Sequence, residues 1–176
     1  MIILELKVKL KELEDIRKRL EKVGLLDKND DKGVLPKSKF EDSTKDVLEI
    51  YIQDTENKLE IFYELAKKIE LFQEIINKRF NYKKIEISQE KGFSLLSDKN
   101  EHLPLTKLSS GEQHELVLLY QLLFKVKPDS LILIDEPELS LHVAWQKEFL
   151  RDIQAITDLA HFDVLIATHS PQIIAD

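Results

Sequence analysis

Between Val47 and Phe80, apolar or aromatic side chains recur at Leu48, Ile52, Leu59, Phe62, Ala66, Ile69, Phe72, Ile76 and Phe80, with one gap near Thr55. Steps of three or four place them on one stripe of a helix. The stretch contains neither Gly nor Pro, and at about 1.5 Å per residue it is on the order of 50 Å long. Residues 4–23 carry a shorter, highly charged helical pattern that ends at Gly24, a C-cap signal. The polar link from Asp27 to Ser43, with Gly33 and Pro36, reads as a loop. Residues 1–82 are therefore expected to form a helical arm. Its two legs are expected to make an antiparallel hairpin, either packed on a globular body or projecting as a coiled coil.

After Asn81 the period changes. Lys84–Ser88 alternates as KIEIS and Gly92–Ser97 reads GFSLLS, which together predict a β-hairpin. A polar turn at Asp98–His102 leads to Leu103-Pro104-Leu105, and Glu112–Phe124 is a strongly apolar helix. The turn Lys127-Pro128-Asp129 precedes LILI at 131–134, the pattern of a strand buried on both faces, as in a parallel sheet. Ala144–Leu159 is helical, with Trp145, Phe149, Ile153 and Ile156 on one side, and Val164–Ala167 is a second apolar strand. Strand, helix, strand is a βαβ unit with a right-handed crossover. The fold class is α/β, with residues 83–176 as the lobe that carries the parallel strands.

Composition narrows the chemistry. A chain of 176 residues is one domain, or one domain with a short arm. Hydrophobic residues at 43% and charged residues at 34% supply a core and exclude a disordered chain. Cysteine is absent, which excludes disulfides, thiol nucleophiles and cysteine-ligated metal, and a metal would have to sit on oxygen or His. No apolar run approaches the roughly 20 residues of a membrane span, so the chain is read as soluble and cytoplasmic, with no membrane partner. Residues 1–82 hold 17 basic and 18 acidic side chains and residues 83–176 hold 9 and 15, so neither half is a basic surface made for nucleic acid.

Each apolar strand runs into a polar cluster: LILI into Asp135-Glu136-Pro137, and VLIA into Thr168-His169-Ser170. Ligands of open α/β sheets sit at the carboxyl ends of strands, so both clusters point to one crevice. Adjacent carboxylates at a strand end can face different targets, one the water shell of Mg²⁺ and the other an attacking water. The same pattern also describes a strand that stops at a solvated turn.

Leu108-Ser109-Ser110-Gly111-Glu112-Gln113 stands directly before the apolar helix. Ser109 with Glu112, and Ser110 with Gln113, have capping-box spacing. Free backbone N–H groups, a hydroxyl and a glycine that permits close approach are also what a terminal phosphate needs. A capped helix start and a phosphate site are both open on these residues alone.

LSSGEQ, then LILIDEPELSLH, then ATHSP, in this order, resembles the signature motif, Walker B with its D-loop, and switch histidine of ABC-type ATPases. The EPELSLH and THSPQII wording is similar to the bacterial AAA-annotated branch that includes overcoming-lysogenization-defect nucleases, Septu-type phage-defence ATPases and SMC-like ATPases. The resemblance covers residues 83–176. It implies the C-terminal lobe of a P-loop ABC-type ATPase with ATP and Mg²⁺ as cofactors. Asp135 would be the Mg²⁺-shell carboxylate and Glu136 the catalytic base, and His169 would sense the γ-phosphate. Ser109 and Gly111, with Ser110 and Glu112, would meet nucleotide held by a partner subunit. Leu139, Ser140 and His142 fall in the D-loop, where His142 replaces the usual Asp. His102 and His161 match no motif and read as surface or core histidines.

No GxxxxGK followed by Ser or Thr occurs in the chain, nor a Q-loop segment. The β-phosphate loop, its lysine and the Mg²⁺-binding hydroxyl are therefore expected from elsewhere. The chain reads as the C-terminal half of an ATPase whose first lobe lies on another polypeptide or was lost. It would be inactive alone and active as a homodimer or with a Walker A-bearing partner chain. The resemblance leaves a nuclease effector, DNA and a role in antiviral defence open. The rival reading is a catalytically silent interaction module or truncated gene product that does not handle nucleotide.

Overall fold

The computed structural model describes residues 2–26, 45–88 and 90–174, and the expected loop at Asp27–Ser43 lies outside them. The elements run α1 (Ile2–Lys22), α2 (Lys45–Arg79), β1 (Lys83–Ser88), β2 (Gly92–Ser97), β3 (His102–Leu103), α3 (Ser110–Phe124), β4 (Leu131–Asp135), α4 (Val143–Ala160), β5 (Asp163–Ala167) and α5 (Pro171–Ile174). This is a mixed α/β fold. Two compact units divide within α2: Met1–Lys67 with Ile87–Gly92, and Lys68–Glu86 with Phe93–Asp176.

In the first unit, Leu6, Leu10 and Leu13 of α1 pack with Ile52 and Leu59 of α2. Lys9 pairs with Glu56 at 3.4 Å, and the Arg19 guanidinium lies over Tyr63 at 5.3 Å from the ring centroid. Partner numbers rise together along both helices, so α1 and α2 run in the same direction. The expected antiparallel hairpin is overturned. A short link would have forced antiparallel neighbours, but one as long as residues 23–44 leaves the direction to side-chain packing. Gly24 closes α1 at φ +75°, where Leu25 N–H donates to the Leu20 carbonyl at 2.9 Å. A Cβ there would collide with the Ile87 carbonyl.

The second unit is centred on aromatic side chains. Phe72 of α2, fully buried, meets Phe93 of β2 and Phe124 of α3 edge to face at 5.4 and 5.8 Å. Arg79, at the end of α2, is buried between carboxylates, pairing through its guanidinium with Glu115 of α3 and Asp152 of α4. Burial pushes the Arg79 guanidinium down and the Asp152 carboxyl up, and their pairing opposes both shifts.

Strands β1, β2 and β3 form one sheet in that order, with Leu95 opposite Leu103. Strands β4 and β5 form a separate parallel pair, in register from Leu131 opposite Asp163 to Asp135 opposite Ala167. Helix α4 connects them, as the βαβ reading expects. The expectation that LILI is buried on both faces is not met. Ile132, Ile134, Val164 and Ile166 are half-buried, whereas Leu131, Leu133 and Leu165 are 62%, 69% and 61% exposed. Alternation along a strand sends neighbouring side chains to opposite faces, and among the described residues only one face of this pair is covered.

Candidate functional site

The carboxyl ends of β4 and β5 open on a cleft of about 500 Å³ lined by Asp135, Glu136, Ala167, Thr168 and His169, with apolar walls from Leu150, Ile166, Ile173 and Ile174. Asp135 is the last residue of β4 and its side chain is exposed. Glu136 N–H donates to the Ala167 carbonyl at 2.8 Å, which carries the ladder one residue past the strand. The backbone of Glu136 is left-handed, φ 46° and ψ 53°. A residue with a Cβ pays about 1–2 kcal/mol for that conformation. The twist turns the Glu136 side chain away from the line of Asp135 and brings its Oε1 to 3.8 Å from His169 Nε2.

Pro137 starts a single turn of 3₁₀ helix, Pro137–Leu139. Glu138 in that turn reaches across to the end of β5. One carboxylate oxygen accepts from Thr168 Oγ1 at 2.6 Å and the other from the His169 N–H at 2.7 Å. The hydrogen bond from Thr168, reinforced by that of His169, holds the Glu138 carboxyl below its usual range. Leu139 and Ser140 are exposed. His142 caps α4, its Nδ1 accepting from the Ala144 N–H at 3.2 Å. His161 ends the same helix in the left-handed region at φ 57°, and both His161 and His102 are exposed.

At the start of α3, Ser109 is the N-cap, and a complete capping box forms. Its Oγ accepts from Glu112 N–H at 3.3 Å, and its N–H donates to Glu112 Oε2 at 2.7 Å. The second expected pair is not made. Ser110 already belongs to the helix, and the Gln113 amide donates instead to the Leu108 carbonyl at 3.0 Å. A helix has one N-cap position, and Ser109 occupies it. Glu112 is buried and ion-paired with Lys83 of β1 at 2.7 Å. Burial alone would raise its carboxyl, but hydrogen bonds from Lys83 and Ser109 outweigh that and hold it low. Ser109 and Ser110 remain exposed, and a Cβ on Gly111 would stand 3.7 Å from the Ser140 carbonyl. The turn before α3 therefore adjoins the turn after β4.

Two residues at or beside the site were not singled out from the sequence: Lys83 and Glu138. Lys83 lies one residue before the alternating run Lys84–Ser88, on the same face as Ile85 and Ile87, and the alternation names no partner for it. Glu138 follows Pro137 with no spacing relation to Thr168.

Among the described residues, no cluster of three or more His, Asp or Glu can hold a metal ion. A single exposed carboxylate at Asp135 fits a Mg²⁺ brought in by a nucleotide and does not fit a metal caged by side chains alone.

In open α/β sheets, acidic and hydroxyl-bearing residues at the carboxyl ends of parallel strands stand where ligands bind. The chain belongs to the family described as AAA domain, putative AbiEii toxin, Type IV TA system, whose model matches residues 7–175. It is 33% identical to Protein ea59 of Escherichia phage lambda over 113 residues, 64% of this chain and 21% of that protein. It is 35% identical to UvrABC system protein A of Chlamydia trachomatis serovar D over 71 residues, 40% of this chain and 4% of that protein. The chain thus spans about a fifth or less of the length of these relatives. The AAA-domain family points to an ATPase-related function. No helix among the described residues is long and apolar enough to cross a membrane.

Proposed function

We propose that the chain is the C-terminal lobe of an ABC-type ATPase, in which Asp135, Glu136 and His169 act together on MgATP held by a phosphate loop outside this sequence. The observation that carries the reading is the meeting of these three residues at one cleft, with Glu136 in a left-handed backbone 3.8 Å from His169. Bound MgATP would supply the scissile phosphate and the charge that polarises it. Asp135 receives the metal's water shell. Glu136 accepts the proton of the attacking water, and the exposed His169 imidazole donates to the terminal phosphate.

Exposed Ser109 and Ser110, with half-buried Gly111, form a helix N-terminus suited to a phosphate on an opposing subunit. Glu112 serves there by holding Ser109 rather than by touching nucleotide. Leu139, Ser140 and His142 line the turn that adjoins Gly111 and would relay dimer contact to the cleft. The bare Leu131, Leu133 and Leu165 face supports a further protein layer against the sheet, since fully covering each leucine is worth about 1.5–3 kcal/mol.

The working assembly is a homodimer or a complex with a Walker A-bearing chain, in the cytoplasm. The reading extends to a role in antiviral defence, with DNA or a nuclease effector as partner, and the family description, which names a putative toxin, is in line with that role. The test is MgATP hydrolysis by the chain alone and after addition of a phosphate-loop polypeptide. The reading expects turnover only in the second case, with loss on Glu136→Gln. Tight MgATP binding by the isolated chain, or turnover indifferent to Glu136, would overturn it.

A further inference from the structure

We propose that Glu138 is a positioning residue of this cleft: its carboxylate clamps the Thr168–His169 backbone and so fixes where the His169 imidazole stands relative to Glu136. The inference rests on the reading of the cleft as an ATP site. The His169 side chain is 90% exposed, so packing does not hold it, and the backbone must. Glu138 supplies that hold through both oxygens, one to the Thr168 hydroxyl and one to the His169 N–H.

The clamp is the exposed end of a closed circuit. Ser170 N–H donates to Thr168 Oγ1 at 3.1 Å. The Ser170 hydroxyl bonds Gln146 Oε1 at 2.6 Å, and Gln146 Nε2 donates back to the Leu141 carbonyl at 3.3 Å. Gln146 and Ser170 are buried, which ties the circuit to the start of α4. The turn after β4, the loop after β5 and the start of α4 are thereby tied together. Glutamate is suited to the task because a carboxylate accepts on both oxygens. Gln keeps one acceptor for the His169 N–H but turns the other end into a donor, which the Thr168 hydroxyl can meet only by accepting instead of donating, so a neutral amide replaces a charged acceptor at both contacts. Asp lacks a methylene of reach.

The experiment uses the full chain, labelled with ¹⁵N, and follows amide hydrogen exchange at single residues. In Glu138→Ala the His169 amide should exchange at least tenfold faster, while amides of the α4 core such as Phe149 keep the parental rate. Thr168→Val should speed exchange at His169 and Ser170, and Thr168→Ser should restore it. If Glu138→Ala does not fold, Glu138→Gln and the Thr168 pair carry the measurement. Unchanged exchange at His169 in the folded Glu138 variants overturns the clamp. In the assembly that supplies the phosphate loop, Glu138→Gln should lower kcat about tenfold with KM unchanged. Faster exchange at His169 with kcat unaltered would also overturn the positioning role. Failure of the ATP reading looks different: turnover is then insensitive to Glu136→Gln, while exchange at His169 still responds to Glu138.

Discussion

His169 Nε2 stands 3.8 Å from Glu136 Oε1, at the mouth of the β4–β5 pair and on loops that follow different strands. The proximity depends on a left-handed residue at the end of β4, because an extended Glu136 would continue the strand's alternation. Glu136→Gln keeps shape and hydrogen bonding but removes proton acceptance. In the two-lobe assembly it should lower hydrolysis by a factor on the order of 10² to 10⁴ while ATP binding survives. Steady-state turnover alongside a nucleotide-binding titration checks both halves, and equal loss of the two would assign the base elsewhere.

The same residue yields a prediction about stability. Glycine adopts φ 46° without steric cost, so Glu136→Gly should stabilise the isolated chain by about 1 kcal/mol and abolish turnover in the assembly that supplies the phosphate loop. Chemical denaturation is the check. A destabilised variant would mean that the backbone at Glu136 is unstrained.

Ser109→Ala removes one oxygen of the capping box and should cost about 1 kcal/mol of stability. Ser109→Arg should do more in the assembly: it should leave ATP binding by one subunit nearly intact and abolish ATP-driven dimerisation. Light scattering with and without MgATP separates the outcomes. Parental dimerisation and turnover in Ser109→Arg would leave LSSGEQ as a helix start only.

Glu112 makes a prediction about pH. Its folded pKa lies below the ordinary 4.5, so its stabilisation is present in full above that value and is lost as pH falls through the folded pKa. Asp152 runs the other way, since a carboxyl raised from 3.8 favours the folded state more as it protonates. Glu112→Gln should therefore be less stable than the parent near neutrality, and the gap should close as pH drops below about 4.5. Thermal unfolding across the acid range measures this. A gap independent of pH would show that the ion pair with Lys83 contributes nothing.

Arg79→Met leaves Glu115 buried without its cation and should cost about 3–5 kcal/mol. Adding Glu115→Leu to it should recover a large part of the loss, because the stranded charge is then gone. Urea unfolding of Arg79→Met, Glu115→Leu and the double variant tests the pair; additive effects would argue against a direct interaction.

Much of this protein is legible along the chain. Period alone locates α2, α3, α4 and both parallel strands, because amphipathic spacing and short apolar runs are local properties of the sequence. The Ser109–Glu112 cap is equally local, its partners lying within one helical turn. The strand-end clusters Asp135-Glu136 and Thr168-His169 were readable as two sites, and the rule that ligands gather at strand ends joined them. Four things required the tertiary structure. The direction of α1 against α2 depends on side-chain pairs such as Lys9 with Glu56, which no turn signal dictates. The bare face at Leu133 depends on which layers are present, whereas an apolar run says only what the strand is suited to. Buried Glu115 reads as a polar break in an apolar helix until Arg79, far away in sequence, is seen against it. The bond from Thr168 to Glu138 follows from the parallel register of β4 and β5, which sets the two turns side by side, and hydrogen bonding across such a gap leaves no periodic trace in the sequence.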